Sequence, residues 1–62
     1  MASFRITIEC ENAAFVDNGP GIEVARILQQ VAENVKEQMP MDGLERMVRD
    51  ENGNTVGFWD YV

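Results

Sequence analysis

Thr55-Val56-Gly57-Phe58-Trp59-Asp60-Tyr61-Val62 closes the chain with large apolar side chains on both parities of a strand-like run. A chain of 62 residues has room for one helical layer and one small sheet, so only one sheet face can be covered. If Val56 and Phe58 face the helix, then Thr55, Gly57, Trp59 and Tyr61 point away from it, and Met47 on the preceding strand extends that outer patch. This reading predicts an uncovered aromatic surface. In the competing reading, twist or a bulge turns Trp59 into the core and no such surface exists.

The run before it, Leu44 to Asp50, reads as the partner strand of a hairpin. Glu51-Asn52-Gly53-Asn54 joins the two, and Asn-Gly between strand-like runs is a strong hairpin signal because both residues tolerate positive φ. Upstream, Pro40 stops a helix and Met41-Asp42-Gly43 turns the chain. That helix is expected from about Gly21 to Gln38. Ile22, Ala25, Leu28, Ala32 and Val35 form its apolar stripe, widened by Val24, Ile27, Val31 and Met39. Glu23, Arg26, Gln29, Gln30, Glu33, Asn34, Lys36 and Glu37 form the wet side.

Phe4, Ile6, Ile8 and Cys10 alternate with Arg5, Thr7 and Glu9, the pattern of a strand covered on one side. Ala13, Ala14, Phe15 and Val16 are too apolar for a free linker. They predict a short turn or irregular edge segment with Phe15 on the core, and Asn18-Gly19-Pro20-Gly21 then turns into the helix.

These elements predict an α+β fold of order β-α-β-β: one amphipathic helix packed on a small three-stranded mixed sheet, in a single compact domain over 1–62 without a linker. A right-handed crossover sets the first strand parallel to the second and the third antiparallel to its neighbours, in order 1-3-2 or 3-2-1. Phe4, Ile6, Ile8, Leu28, Val31, Val35, Val48 and Phe58 are the expected core.

Composition narrows the function classes. Eleven acidic residues against five basic ones give a formal net charge of −6, which opposes direct binding to nucleic acid or anionic lipid and favours a basic partner. Cys10 is the only cysteine and there is no histidine, so an internal disulfide, a structural zinc site and a thiol–imidazole pair all lack their residues. Cys10 reads as a small inward hydrophobe. Self-association is the remaining usual supplement for so small a core. No basic leader precedes an apolar run and no stretch reaches membrane-spanning length, so a cytoplasmic location without membrane attachment is expected.

Gly19-Pro20-Gly21 lacks the spacing and lysine of a phosphate loop. Asp50-Glu51-Asn52-Gly53-Asn54 lacks the ligand spacing and distal glutamate of a calcium loop and reads as a turn. Ser3 and Thr7 lack a base, and no carboxylate pair is identifiable from spacing. No catalytic residue, cofactor or metal ligand is therefore assigned.

Phe4-Arg5-Ile6-Thr7-Ile8, Asn12-Ala13-Ala14-Phe15, Glu23-Val24-Ala25-Arg26-Ile27-Leu28 and the pattern Asp50-x-Asn52-Gly53-Asn54-x-Val56-Gly57 together resemble small uncharacterised proteins of bacteriophages and prophages. The resemblance covers nearly the whole chain and carries no catalytic residues. It implies a βαββ-like domain with an accessory role in a phage.

The function read from the sequence is a noncatalytic protein-interaction module, a homodimer formed through Met47, Thr55, Gly57, Trp59 and Tyr61. The resemblance implies one alternative, a phage-encoded inhibitor of a bacterial defence or nucleic-acid-binding protein, of anti-CRISPR or anti-restriction type; a small hydrolase or metal-binding protein is a further, disfavoured alternative. In the inhibitor reading Glu23, Glu33, Glu37, Asp50 and Glu51 present negative charge to a basic host protein, DNA mimicry included.

Overall fold

The computed structural model describes residues 2–38 and 45–61. The expected helix stop at Pro40, the turn at Met41-Asp42-Gly43, the stripe residue Met39 and the strand start at Leu44 lie outside the described residues. The elements run β1 (Phe4–Ile8), α1 (Ala13–Asn18), α2 (Pro20–Gln38), β2 (Arg46–Arg49) and β3 (Thr55–Tyr61). This is the small α+β fold of order β-α-β-β.

The sheet order is β1-β3-β2, so β3 lies between the other two. It pairs antiparallel with both, which leaves β1 and β2 parallel to each other on its two sides. Of the two strand orders compatible with the sequence, the chain adopts 1-3-2.

The expected edge segment is a helix. Asn12 starts α1 in extended conformation and its carbonyl accepts from the Phe15 and Val16 N–H groups. Gly19 at φ 90° ends α1, Pro20 opens α2, and Gly19 O accepts the first α2 bond from Glu23 N at 3.2 Å. A φ in that range suits glycine, and proline is preorganised for a first helical turn. Phe15 is completely buried, as its apolar setting predicts.

One irregularity decides which way the last strand faces. Val48 pairs with Gly57 while Arg49 pairs with Thr55, so Val56 is an extra residue opposite β2. Such a bulge puts two successive residues on one side and reverses the parity of everything beyond it. Ile6 and Arg46 then flank Trp59, and Thr7 and Met47 flank Phe58. Trp59 is 1% exposed and joins the core with Ala14, Phe15, Ile27, Val31, Val48 and Val56.

The expected outer patch is corrected accordingly. Trp59, with Gly57 and Tyr61 in step with it, lies on the helix-covered face; Thr55 and Met47 stay exposed; and Phe58, expected in the core, moves to the outer face. Gly57 also sits where β1 passes close: a Cβ there would stand 1.8 Å from the Thr7 carbonyl oxygen.

Helix α2 is rotated from the expected phase. Its buried residues are Glu23, Ile27 and Val31, with Val24 and Val35 half-buried beside them, while Ile22 is 70% and Leu28 44% exposed. It packs on α1 and β2 and leaves the β1 side of the sheet thinly covered. Phe4, expected in the core, is accordingly 44% exposed.

Candidate interaction surface

Among the described residues three carboxylates are buried: Glu23, Asp50 and Asp60. Each is occupied by N–H donors of the chain itself. Arg26 grips Glu23 through two bonds, Nε to Oε1 at 2.8 Å and Nη2 to Oε2 at 2.9 Å, and the Glu51 backbone N–H adds a third at 2.9 Å. The Arg26 guanidinium holds the Glu23 carboxyl below its ordinary value of 4.5 against the opposing effect of burial.

Asp50 organises the hairpin. Its carboxylate accepts from the backbone N–H groups of Asn52 and Asn54, both at 2.9 Å, and from Asn12 Nδ2 at 2.8 Å. Burial pushes this carboxyl up, but the hydrogen bonds from Asn54, Asn52 and Asn12 outweigh it and keep the group below 3.8. Gly53 takes φ 87° and donates to the Asp50 carbonyl at 3.0 Å, completing the turn that Asn-Gly predicts. On the outer sheet face Arg5 clamps Asp60 with Nε at 3.0 Å and Nη2 at 2.6 Å, and its hydrogen bonds hold Asp60 below 3.8.

These contacts divide the expected acidic surface. Glu23 and Asp50 are structural anchors, withdrawn from any recognition face. Glu33 and Glu37 stay exposed on α2, with Glu33 3.6 Å from Lys36, and Glu51 is exposed at the turn. The burial of Glu23 escapes sequence reading because one of its partners is 28 residues away. For Asp50, the turn pattern with Asn52 and Asn54 is the available signal.

The outer face carries Arg5, Thr7, Met47, Phe58 and Asp60. Thr7, Glu9, Glu11, Met47 and Phe58 line a shallow open concavity there, in which Met47 is 58% exposed.

On the opposite face lies a surface absent from the expected site. Phe4 and Ile6 of β1 and Leu28, Val31, Ala32 and Val35 of α2 line an open groove with almost no polar surface. It borders the edge of the sheet, because among the described residues β1 pairs only with β3. The N–H of Glu9 donates to Val56 O at 2.7 Å and the Thr7 carbonyl faces Gly57, so the odd residues of β1 direct their backbone groups at β3. By alternation, the N–H and C=O groups of Phe4, Ile6 and Ile8 face the outer edge.

No family model matches the chain, and no curated protein or solved structure matches it.

Proposed function

We propose that the protein is a noncatalytic protein-interaction module that self-associates through the β1 edge and the groove beside it. The observation that carries this reading is the placement of Phe4 and Leu28, each 44% exposed in an apolar groove, against a strand edge whose backbone groups have no strand partner among the described residues. An open edge is a template for another strand, and natural sheets usually blunt it with lysine, proline or a bulge; Phe4–Ile8 contains neither residue, and the bulge of this sheet lies on the β2 side.

Burial of Trp59 transfers the interface from the last hairpin to the first strand. Sedimentation equilibrium over a range of chain concentrations tests the reading with Leu28→Glu as the variant. Wild type should shift from monomer to dimer, and Leu28→Glu should stay monomeric with native far-UV circular dichroism. A wild type that remains monomeric throughout refutes self-association.

The alternative as an acidic inhibitor of a nucleic-acid-binding defence protein rests on Glu33, Glu37 and Glu51, since Glu23 and Asp50 are occupied within the fold. Capture of a basic protein from host extract that is lost on neutralising those three residues would support it over the groove.

A further inference from the structure

We infer that two copies join β1 to β1 in antiparallel sense, in the register that sets Thr7 against Thr7 of the partner copy. The inference rests on the proposed self-association and specifies its geometry.

The free edge limits the registers. Phe4, Ile6 and Ile8 carry the outward N–H and C=O groups, so an antiparallel partner must set even residues opposite even residues. Side-chain charge then selects among these registers. Arg5 and Glu9 lie on the outer face at either end of the strand, Glu9 lining the outer concavity with Thr7. Centring the pair on Thr7 puts Arg5 opposite Glu9 of the partner copy, and the symmetry repeats the match at the other end. Centring it on Ile6 puts Arg5 opposite Thr7 and forgoes both charge pairs. Opposite charges directly across a strand pair are favourable, and a self-complementary patch is what a twofold interface requires.

Arg5 remains able to serve both partners. Its bonds to Asp60 use Nε and Nη2, which leaves Nη1 for Glu9 of the partner copy, and its side chain is 63% exposed. On the inner face the same register sets Ile6 against Ile8 in two equivalent pairs. Among the described residues the Ile8 carbonyl is met only by the Cys10 thiol at 3.6 Å, a weak contact that leaves a lone pair for the partner's N–H.

The groove gives the pairing its apolar component. The twofold axis runs perpendicular to the sheet, so both α2 helices lie on one face and the two grooves, with Phe4, Leu28 and Ala32, open toward each other. The product is one sheet of six strands, three from each copy, in which β1 is no longer an edge.

Disulfide trapping tests the register. In Thr7→Cys combined with Cys10→Ser, the two sulfurs approach across a non-hydrogen-bonded pair whose Cα atoms are about 4.5 Å apart, within disulfide range. Under a mild glutathione redox buffer most of this variant should become a covalent dimer. Met47→Cys with Cys10→Ser, exposed on the outer face, should not. Glu9→Arg should raise the dimer dissociation constant at least tenfold, whereas Glu11→Arg, the same charge change beyond the paired segment, should not weaken it.

Native far-UV circular dichroism is required of each variant. A wild-type dimer in which Thr7→Cys does not cross-link, or in which Met47→Cys cross-links instead, overturns this register and leaves self-association standing. A wild type monomeric at every concentration overturns both.

Discussion

Replacing Trp59 with alanine separates a core tryptophan from a surface one. The side chain is 1% exposed, its ring centroid is 5.6 Å from that of Phe4, and it contacts the cluster that includes Phe15, Ile27 and Val56. Removing a buried aromatic of this kind costs about 3–5 kcal/mol, through lost transfer energy and the cavity left behind. A domain of this length has about 3–9 kcal/mol of stability in total, so the variant should retain between none and roughly two thirds of it. With a urea slope of about 1 kcal/mol/M, the midpoint should fall by about 3–5 M or the chain should be unfolded without denaturant. Far-UV circular dichroism is the assay, because Trp59 is the only tryptophan and its fluorescence disappears with it. Wild type and variant are compared at one chain concentration, since dimerisation adds to apparent stability. Phe58→Ala, on the outer face, provides the contrast and should cost distinctly less. A Trp59→Ala midpoint within about 0.5 M of wild type, the behaviour of a surface substitution, would refute the buried placement and the bulge that produces it.

Gly57→Ala should be strongly destabilising although it adds only a methyl group, because that carbon would stand 1.8 Å from the Thr7 carbonyl oxygen and 2.8 Å from the carbonyl carbon. The obstacle is backbone, so β1 and β3 must separate; a thermal melt by circular dichroism should show a large loss, and an unchanged melt would contradict the close approach. Acid should destabilise the fold. Glu23, Asp50 and Asp60 have folded values below their ordinary ones of 4.5, 3.8 and 3.8, so their contribution is present above those values and disappears as pH falls through the lower folded values. Urea midpoints should therefore hold from pH 7 to about 5 and drop below about 4, and Glu23→Gln should shrink that drop.

Much of the fold is legible in local pattern. Period-two alternation marks β1, Asn52-Gly53 marks the hairpin, and Gly19-Pro20 marks the start of α2, because each signal depends on residues close together in sequence. The orientation of β3 is not legible from alternation, since one extra residue at Val56 reverses every side chain after it. Gly57 inside an otherwise bulky strand is the signal available for that bulge. The phase of α2 depends on long-range anchoring: Glu23 bonds to Glu51 N–H, turning Ile27 and Val31 inward and Leu28 outward. Short α1 is harder still, with no side-chain cap bond from Asn12, whose amide goes to Asp50. The groove appears only once the helix phase and the strand order are both known. Phe4 and Leu28 read as core from periodicity alone, and their exposure follows from where α2 crosses the sheet.

Self-association through the β1 edge is tested most directly by amide hydrogen exchange followed by NMR at two chain concentrations, one above and one below the dimer dissociation constant. At high concentration the Phe4, Ile6 and Ile8 amides, whose N–H groups face the open edge, should exchange slowly, and on dilution they should exchange fast. Arg5 and Thr7, bonded to β3 within one chain, should remain protected throughout. Equally fast exchange of Phe4, Ile6 and Ile8 at both concentrations, in samples whose mass changes from dimer to monomer, would contradict the edge as the interface.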